Sequence, residues 1–82
     1  MIAVIIPALN EEASVAVLVH PAKQLPHVTE VIVVDDKSLD KTVEVARNAG
    51  ATIITSTKLG KVASMKDGVL AAKNEIVAFL EN

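Results

Sequence analysis

Four short apolar runs constrain this 82-residue chain more than anything else in it: Ala3–Ile6, Val31–Val34, Thr52–Thr55 and Ile76–Leu80. They are rich in β-branched residues, which fit a pleated surface. They are also continuous. A strand with one wet face alternates apolar and polar residues, whereas a parallel strand covered on both faces does not. The four runs therefore predict four parallel strands. Parallel neighbours need long crossovers, usually helical, and the intervening segments carry helix signals.

Asn10 is a good N-cap, and Glu11 and Glu12 suit the positive end of a helix dipole, so a helix is expected from there to about His20. Pro21 should end or kink it, because the residue before a proline avoids helical geometry. A second helix is expected over about Leu39–Asn48, capped by Ser38 or Asp40, with Gly50 just past its end. A third is expected over about Lys61–Lys73, with Met65, Val69 and Ala72 on one face and Asn74 closing it. The pattern βαβαβαβ implies an α/β, Rossmann-like parallel four-stranded sheet with three right-handed crossover helices. The expected strand order is 3-2-1-4, with two helices on one face and one on the other, and with both sheet edges bare.

Composition sharpens this picture. Residues 1–82 make a single small domain, and a chain of that size hides only about 60% of its unfolded surface. Yet 51% of the residues are apolar and the mean hydropathy is +0.46. Some apolar surface is therefore expected to face a partner or a further part of the protein, at the less covered sheet face or the Ile76–Leu80 edge. The net charge of −2 and the lack of a basic run argue against nucleic acid. With no Trp, no Tyr and one Phe, the chain has no stacking platform for bases. Absent cysteine excludes disulfides and thiol chemistry. The apolar start lacks a basic leader and is too short to span a bilayer, so a soluble, cytoplasmic protein is expected.

Open parallel sheets bind ligands beyond the carboxyl ends of their strands, where strand order reverses. The loops that would meet there are Pro7–Asn10, Asp35–Ser38, Ser56–Gly60 and the terminal Glu81-Asn82. The first has no glycine, so it cannot wrap a pyrophosphate as a phosphate-binding loop does. Glu11 and Glu12 would also repel a phosphate at that helix start. Backbone groups of Ala8 and Leu9 could instead hold the edge of a base; otherwise Pro7 simply ends a strand and the glutamates cap a helix. Of Asp35 and Asp36 only one should face the crevice, since successive strand residues point to opposite faces. A carboxylate there can accept the imide N–H of uracil, hold a metal, or cap the next helix. Lys61 follows Gly60 in the first turn of the third helix, where a cation is unfavourable unless an anion such as a diphosphate is near; a solvated surface lysine is the plainer reading. His20 and His27 show no metal-ligand spacing, and no Ser/His/Asp set suits nucleophilic catalysis.

The segments VIIPALNEEASV, VIVVDDKSLDKTVEVARNAGA, LGKVASMKDGVLAA and NEIVAFLE follow one another in an order and spacing that resembles the amino-terminal half of family 2 glycosyltransferases, which have the GT-A fold. The resemblance covers essentially the whole chain and makes it a truncated GT-A fold lacking the acceptor half. It implies that Pro7, Ala8, Leu9 and Glu11 line a nucleoside pocket, that Asp36 takes the uracil edge, and that Gly60 and Lys61 lie near the base or diphosphate. Ser38 belongs with Asp36 in the same loop. It also implies Mn²⁺ or Mg²⁺ on the diphosphate of a UDP-sugar, with Glu81 at the first position of the family's Asp-x-Asp triplet. The chain departs from the family pattern at Lys37, Val62 and Asn74, where glycine is usual, and at Asn82, where the triplet is cut short.

Three functions fit these readings. The first is a nucleotide-sugar-binding glycosyltransferase domain, weak or inactive alone. The second is a non-catalytic α/β module acting as a homodimer or as one half of a split enzyme. The third, a phosphoacceptor receiver domain, fits poorly, because its acidic pair would follow the first strand and not the second.

Overall fold

In a computed structural model of the chain, the structure describes residues 2–55 and 76–79. Four strands form a parallel sheet: β1 (Ile2–Ala8), β2 (Val28–Asp35), β3 (Thr52–Thr55) and β4 (Ile76–Phe79), in the order β3-β2-β1-β4. Two crossover helices are described, α1 (Val15–Gln24) and α2 (Thr42–Asn48). The expected third helix, with Gly60, Lys61 and Asn74, lies outside the described residues, as does Glu81.

Strand alternation divides the sheet side chains between two layers. Val4, Ile6 and Ala8 of β1 join Val31 and Val33 of β2 on the face covered by α1 and α2, packing with Val15, Val19, Ala22, Ala46 and Ala51. Ile5, Ile32 and Val34 form the core of the opposite face, with Ile54 against them. Both layers are closed to water, which is why these strands read as continuous apolar runs.

Three expectations about element boundaries are corrected. Pro7 does not end β1; it is buried inside the strand, in register with Val34. Among the described residues, β4 pairs with Ile2–Ile5. Ala8 turns its carbonyl to β2, where it accepts the Asp36 N–H at 2.9 Å, so alternation turns the backbone of Pro7 to the β4 side. Among the described residues no ladder bond to β4 is at stake beyond Ile5, and a residue without an N–H is tolerated there. Asn10 does not cap α1: its φ is 52°, and the helix starts at Val15 with Ser14 in the N-cap position. Of the two outcomes expected at Pro21, an end or a kink, the first is excluded, since α1 runs on to Gln24. Val15, Val19 and Ala22 keep one face buried across the proline. The carbonyl that loses its helical donor belongs to Val17 on the exposed side, where water can take the bond.

At the other end of α2, Gly50 meets the expectation. Its φ is 101°, the Gly50 N–H donates to the Arg47 carbonyl at 3.0 Å and the Ala51 N–H to the Ala46 carbonyl at 3.1 Å. This is the double bond pattern that closes a helix through a left-handed residue. Lys23 of α1 donates its Nζ to the Gly50 carbonyl at 3.0 Å, tying the two helices.

Candidate functional site: the carboxyl rim of the sheet

The register of β1 and β2 places Ala8 beside Asp35, so the loops after the two strands leave the sheet side by side. From there they are joined by side chains. The Asn10 N–H donates to Ser38 Oγ at 2.8 Å, the Glu11 N–H to Thr42 Oγ1 at 2.7 Å, and the Glu12 N–H to an Asp40 carboxylate oxygen at 3.2 Å. In return Leu39 donates its N–H to Asn10 Oδ1 at 2.8 Å. Three consecutive backbone donors of the first loop are thus taken by side chains of the second. None is offered to a phosphate, in agreement with the missing glycine.

Ser38 or Asp40 was expected to cap α2. Lys41 holds the N-cap position instead, without a side-chain bond. Asp40 does reach the helix start, accepting the Thr42 N–H at 2.9 Å and a short bond from the Thr42 hydroxyl. That hydroxyl holds the Asp40 carboxyl below its ordinary value of 3.8, helped by the N–H groups of Thr42 and Glu12 against an opposing desolvation. Asn10, Asp40 and Thr42 were not singled out from sequence as site residues. The available signal was the short polar side chains at every second position of Ser38-Leu39-Asp40-Lys41-Thr42, the kind that bond to backbone in turns.

The two aspartates part company as strand alternation requires. Asp35 is 3% exposed and lies on the α1–α2 face beside Ala8; its Oδ2 accepts the Ser38 N–H at 3.1 Å. Its other oxygen is buried and finds no hydrogen-bond partner among the described residues. Alternation sends Asp36 to the other face, which Pro7 shares, and Asp36 is only partly buried. Leu9 is 49% exposed at the rim, while Ala8 is buried. Glu11 is occupied as a helix-start residue: its carboxylate accepts the Ser14 hydroxyl at 2.8 Å and its carbonyl accepts the N–H groups of Ser14 and Val15. The structure therefore brings Pro7, Ala8, Leu9, Glu11, Asp36 and Ser38 to one rim. Gly60, Lys61 and Glu81 cannot be placed relative to it, being outside the described residues. Among the described residues no group of three His, Cys, Asp or Glu side chains could hold a metal ion.

A model of the family described as "Glycosyl transferase family 2" matches residues 3–82. The chain belongs to that family. It is 38% identical over 84 residues to the 4,4'-diaponeurosporenoate glycosyltransferase of Staphylococcus aureus, an alignment covering 95% of this chain and 22% of the relative. It is 34% identical to an uncharacterized glycosyltransferase of Mycobacterium bovis, over 98% of this chain and 35% of that one. Among solved structures it resembles glucosyl-3-phosphoglycerate synthase of Mycobacterium tuberculosis in complex with Mn²⁺, UDP and glucosyl-3-phosphoglycerate. The TM-score is 0.90 at 30% identity, covering 99% of this chain and 33% of the synthase. The same synthase has been solved with Mg²⁺ and UDP. The family 2 chain described here thus has the α/β architecture of GT-A glycosyltransferases and spans between about a fifth and a third of the length of these relatives. Among its described residues no helix is long and apolar enough to cross a membrane.

Proposed function

We propose that the carboxyl rim binds the nucleoside diphosphate of a UDP-sugar, making this chain the donor-binding part of a glycosyltransferase. One observation carries the reading: Ala8 accepts the Asp36 N–H, so the backbones of Pro7–Leu9 and Asp36 lie side by side at the carboxyl rim, next to the switch point between β1 and β4. The partners are 28 residues apart in sequence. Similarity to a synthase solved with UDP supports the same assignment. Asp36 would accept the imide N–H of uracil while backbone groups of Ala8 and Leu9 meet the rest of the base edge. The diphosphate lies away from α1, because the amides before that helix are already bonded to Ser38, Thr42 and Asp40; Gly60 and Lys61 are its proposed neighbours.

A divalent cation, as in the synthase complexes, would neutralise charge on the departing diphosphate. The described residues supply no site for it, and Glu81 is the one ligand proposed here. This assignment names no catalytic base and no acceptor group, so the chain alone is proposed to transfer sugar weakly or not at all.

The test is a UDP titration followed by backbone amide NMR, with and without Mn²⁺. The amides of Ala8, Leu9, Asp36 and Lys61 should shift, and UDP should bind about tenfold more tightly than CDP, whose base lacks the imide proton. If those amides stay still at millimolar UDP, the pocket assignment is wrong.

The alternative role, a non-catalytic interaction module, draws on Val17 of α1 and Leu25 just past its end, at 68% and 52% exposure. Sedimentation at high concentration decides it: a clean monomer counts against it.

A further inference from the structure

We propose that Asp40 is a positioning residue for the nucleotide: its carboxylate, acting through Thr42, holds the first loop in the shape that presents Ala8 and Leu9 to the base. The inference rests on the nucleotide-binding reading above and adds a residue that has no place in the pocket itself.

The geometry is a two-armed clamp. One Asp40 oxygen accepts the Glu12 N–H directly. The other accepts the Thr42 hydroxyl, and that hydroxyl oxygen accepts the Glu11 N–H at 2.7 Å. The Glu11 N–H can only donate, so the Thr42 oxygen accepts from it, and the Asp40 carboxylate supplies the acceptor that the hydroxyl proton then needs. Thr42 is fully buried at the first residue of α2, which anchors the clamp to the layer that packs on the sheet. What it holds would not hold itself. The chain must reverse between the end of β1 at Ala8 and the start of α1 at Val15, with Asn10 in the left-handed region at φ 52°. Asparagine tolerates this conformation better than most residues, but it is not the backbone's preferred state, and the bonds from Ser38, Thr42 and Asp40 hold the loop in it. The clamped amides begin three residues after Ala8, so release of Glu11 and Glu12 would let the backbone of Ala8 and Leu9 move relative to Asp36.

Charge and acceptor count both matter, so the near-isosteric change is informative. Asp40→Asn replaces one acceptor oxygen with an NH₂ donor. Whichever way the amide turns, its NH₂ faces a backbone donor, the Glu12 N–H on one side or the Thr42 N–H on the other. Thr42→Ser keeps the hydroxyl, while Thr42→Val keeps the volume and loses it.

The experiment compares wild type, Asp40→Asn, Thr42→Ser and Thr42→Val by two measurements on the intact chain. The first is amide hydrogen exchange without ligand. Asp40→Asn should lose protection at Glu11 and Glu12, and Thr42→Val at Glu11, while the amides of Ile5, Ile6, Ile32 and Val33 keep theirs; Thr42→Ser should match wild type. Unchanged protection at Glu11 and Glu12 in Asp40→Asn overturns the clamp, whether or not UDP binds. The second is UDP affinity: the two disruptive variants should bind about tenfold more weakly, and Thr42→Ser should be unaffected. Loss of protection with unchanged UDP affinity overturns the positioning role. If wild type itself fails to bind UDP, the nucleotide-binding reading has failed and the positioning role falls with it, while the exchange data still decide whether the clamp exists.

Discussion

The sheet layers and the rim are held by different forces. Beneath α1 and α2, Val4, Ile6, Val19, Val31 and Val33 are packed without a polar atom among their side chains, and their stabilisation is non-directional burial. At the rim, two loops are joined by hydrogen bonds of defined direction between backbone donors at Asn10, Glu11 and Glu12 and side chains at Ser38, Thr42 and Asp40. Burial scales with area and tolerates small displacements. A hydrogen bond weakens steeply with misalignment. The layers therefore contribute most of the stability, and the rim contributes placement. Damage to one should be separable from damage to the other.

The largest effect belongs to the layers. Ile6→Ala removes a side chain that is 1% exposed and should cost about 3 kcal/mol, measured by denaturant unfolding. In a chain this small that is a large share of the total. Under conditions where the variant remains folded, its rim amides should still respond to UDP as in wild type; loss of that response would mean the two regions are not separable. Gly50→Ala, at the far end of α2 from the rim, should cost about 1 kcal/mol because φ 101° is strained for any side chain. Its added methyl meets the tip of Lys23 at 2.8 Å, a flexible end that can move. Thermal unfolding reads the cost, and the rim amides should again be unmoved.

Lys37→Gly tests the rim from the other direction. Lys37 is held at φ 60°, and glycine adopts that conformation without penalty. Relief of strain exceeds the extra freedom of the unfolded chain, so stability should rise by about 0.5 kcal/mol. A fall would show that the lysine side chain contributes something the backbone geometry does not reveal. The smallest effect is the response to acid. Asp40 has its folded carboxyl lowered from 3.8, so its contribution is present above that value and is lost as pH falls below it through the folded pKa. The amides of Glu12 and Thr42 should titrate together with a midpoint below 3.8. A midpoint at or above that value would dissolve the distinction between a clamped and a merely solvated carboxylate.

The strand signals were the most legible part of the sequence. Thr52–Thr55 coincides with β3, and the other runs lie inside their strands apart from Leu80, which is outside the described residues. Both ends of β1 reach beyond its apolar run, the carboxyl end because Pro7 lies past the register that the described residues of β4 make. The rim was legible in outline: the residue types after β1 and β2 were recognised, and the split between Asp35 and Asp36 follows from strand alternation. Its internal wiring was not. Asn10 looks like a helix cap and instead bonds Leu39; Asp40 looks like a cap for its own helix and also bonds Glu12.

By itself the sequence determined the strand-forming segments, their parallel sense and the end of the sheet where polar loops gather. These follow from periodicity and side-chain shape, which act between near neighbours. Only the tertiary structure decided that α1 starts at Val15 and continues past Pro21, that Pro7 stays in its strand, and which side chain meets which amide across the rim. Those outcomes depend on groups brought together from 28 to 31 residues apart, and a polar side chain carries no local mark of the partner that packing will bring to it.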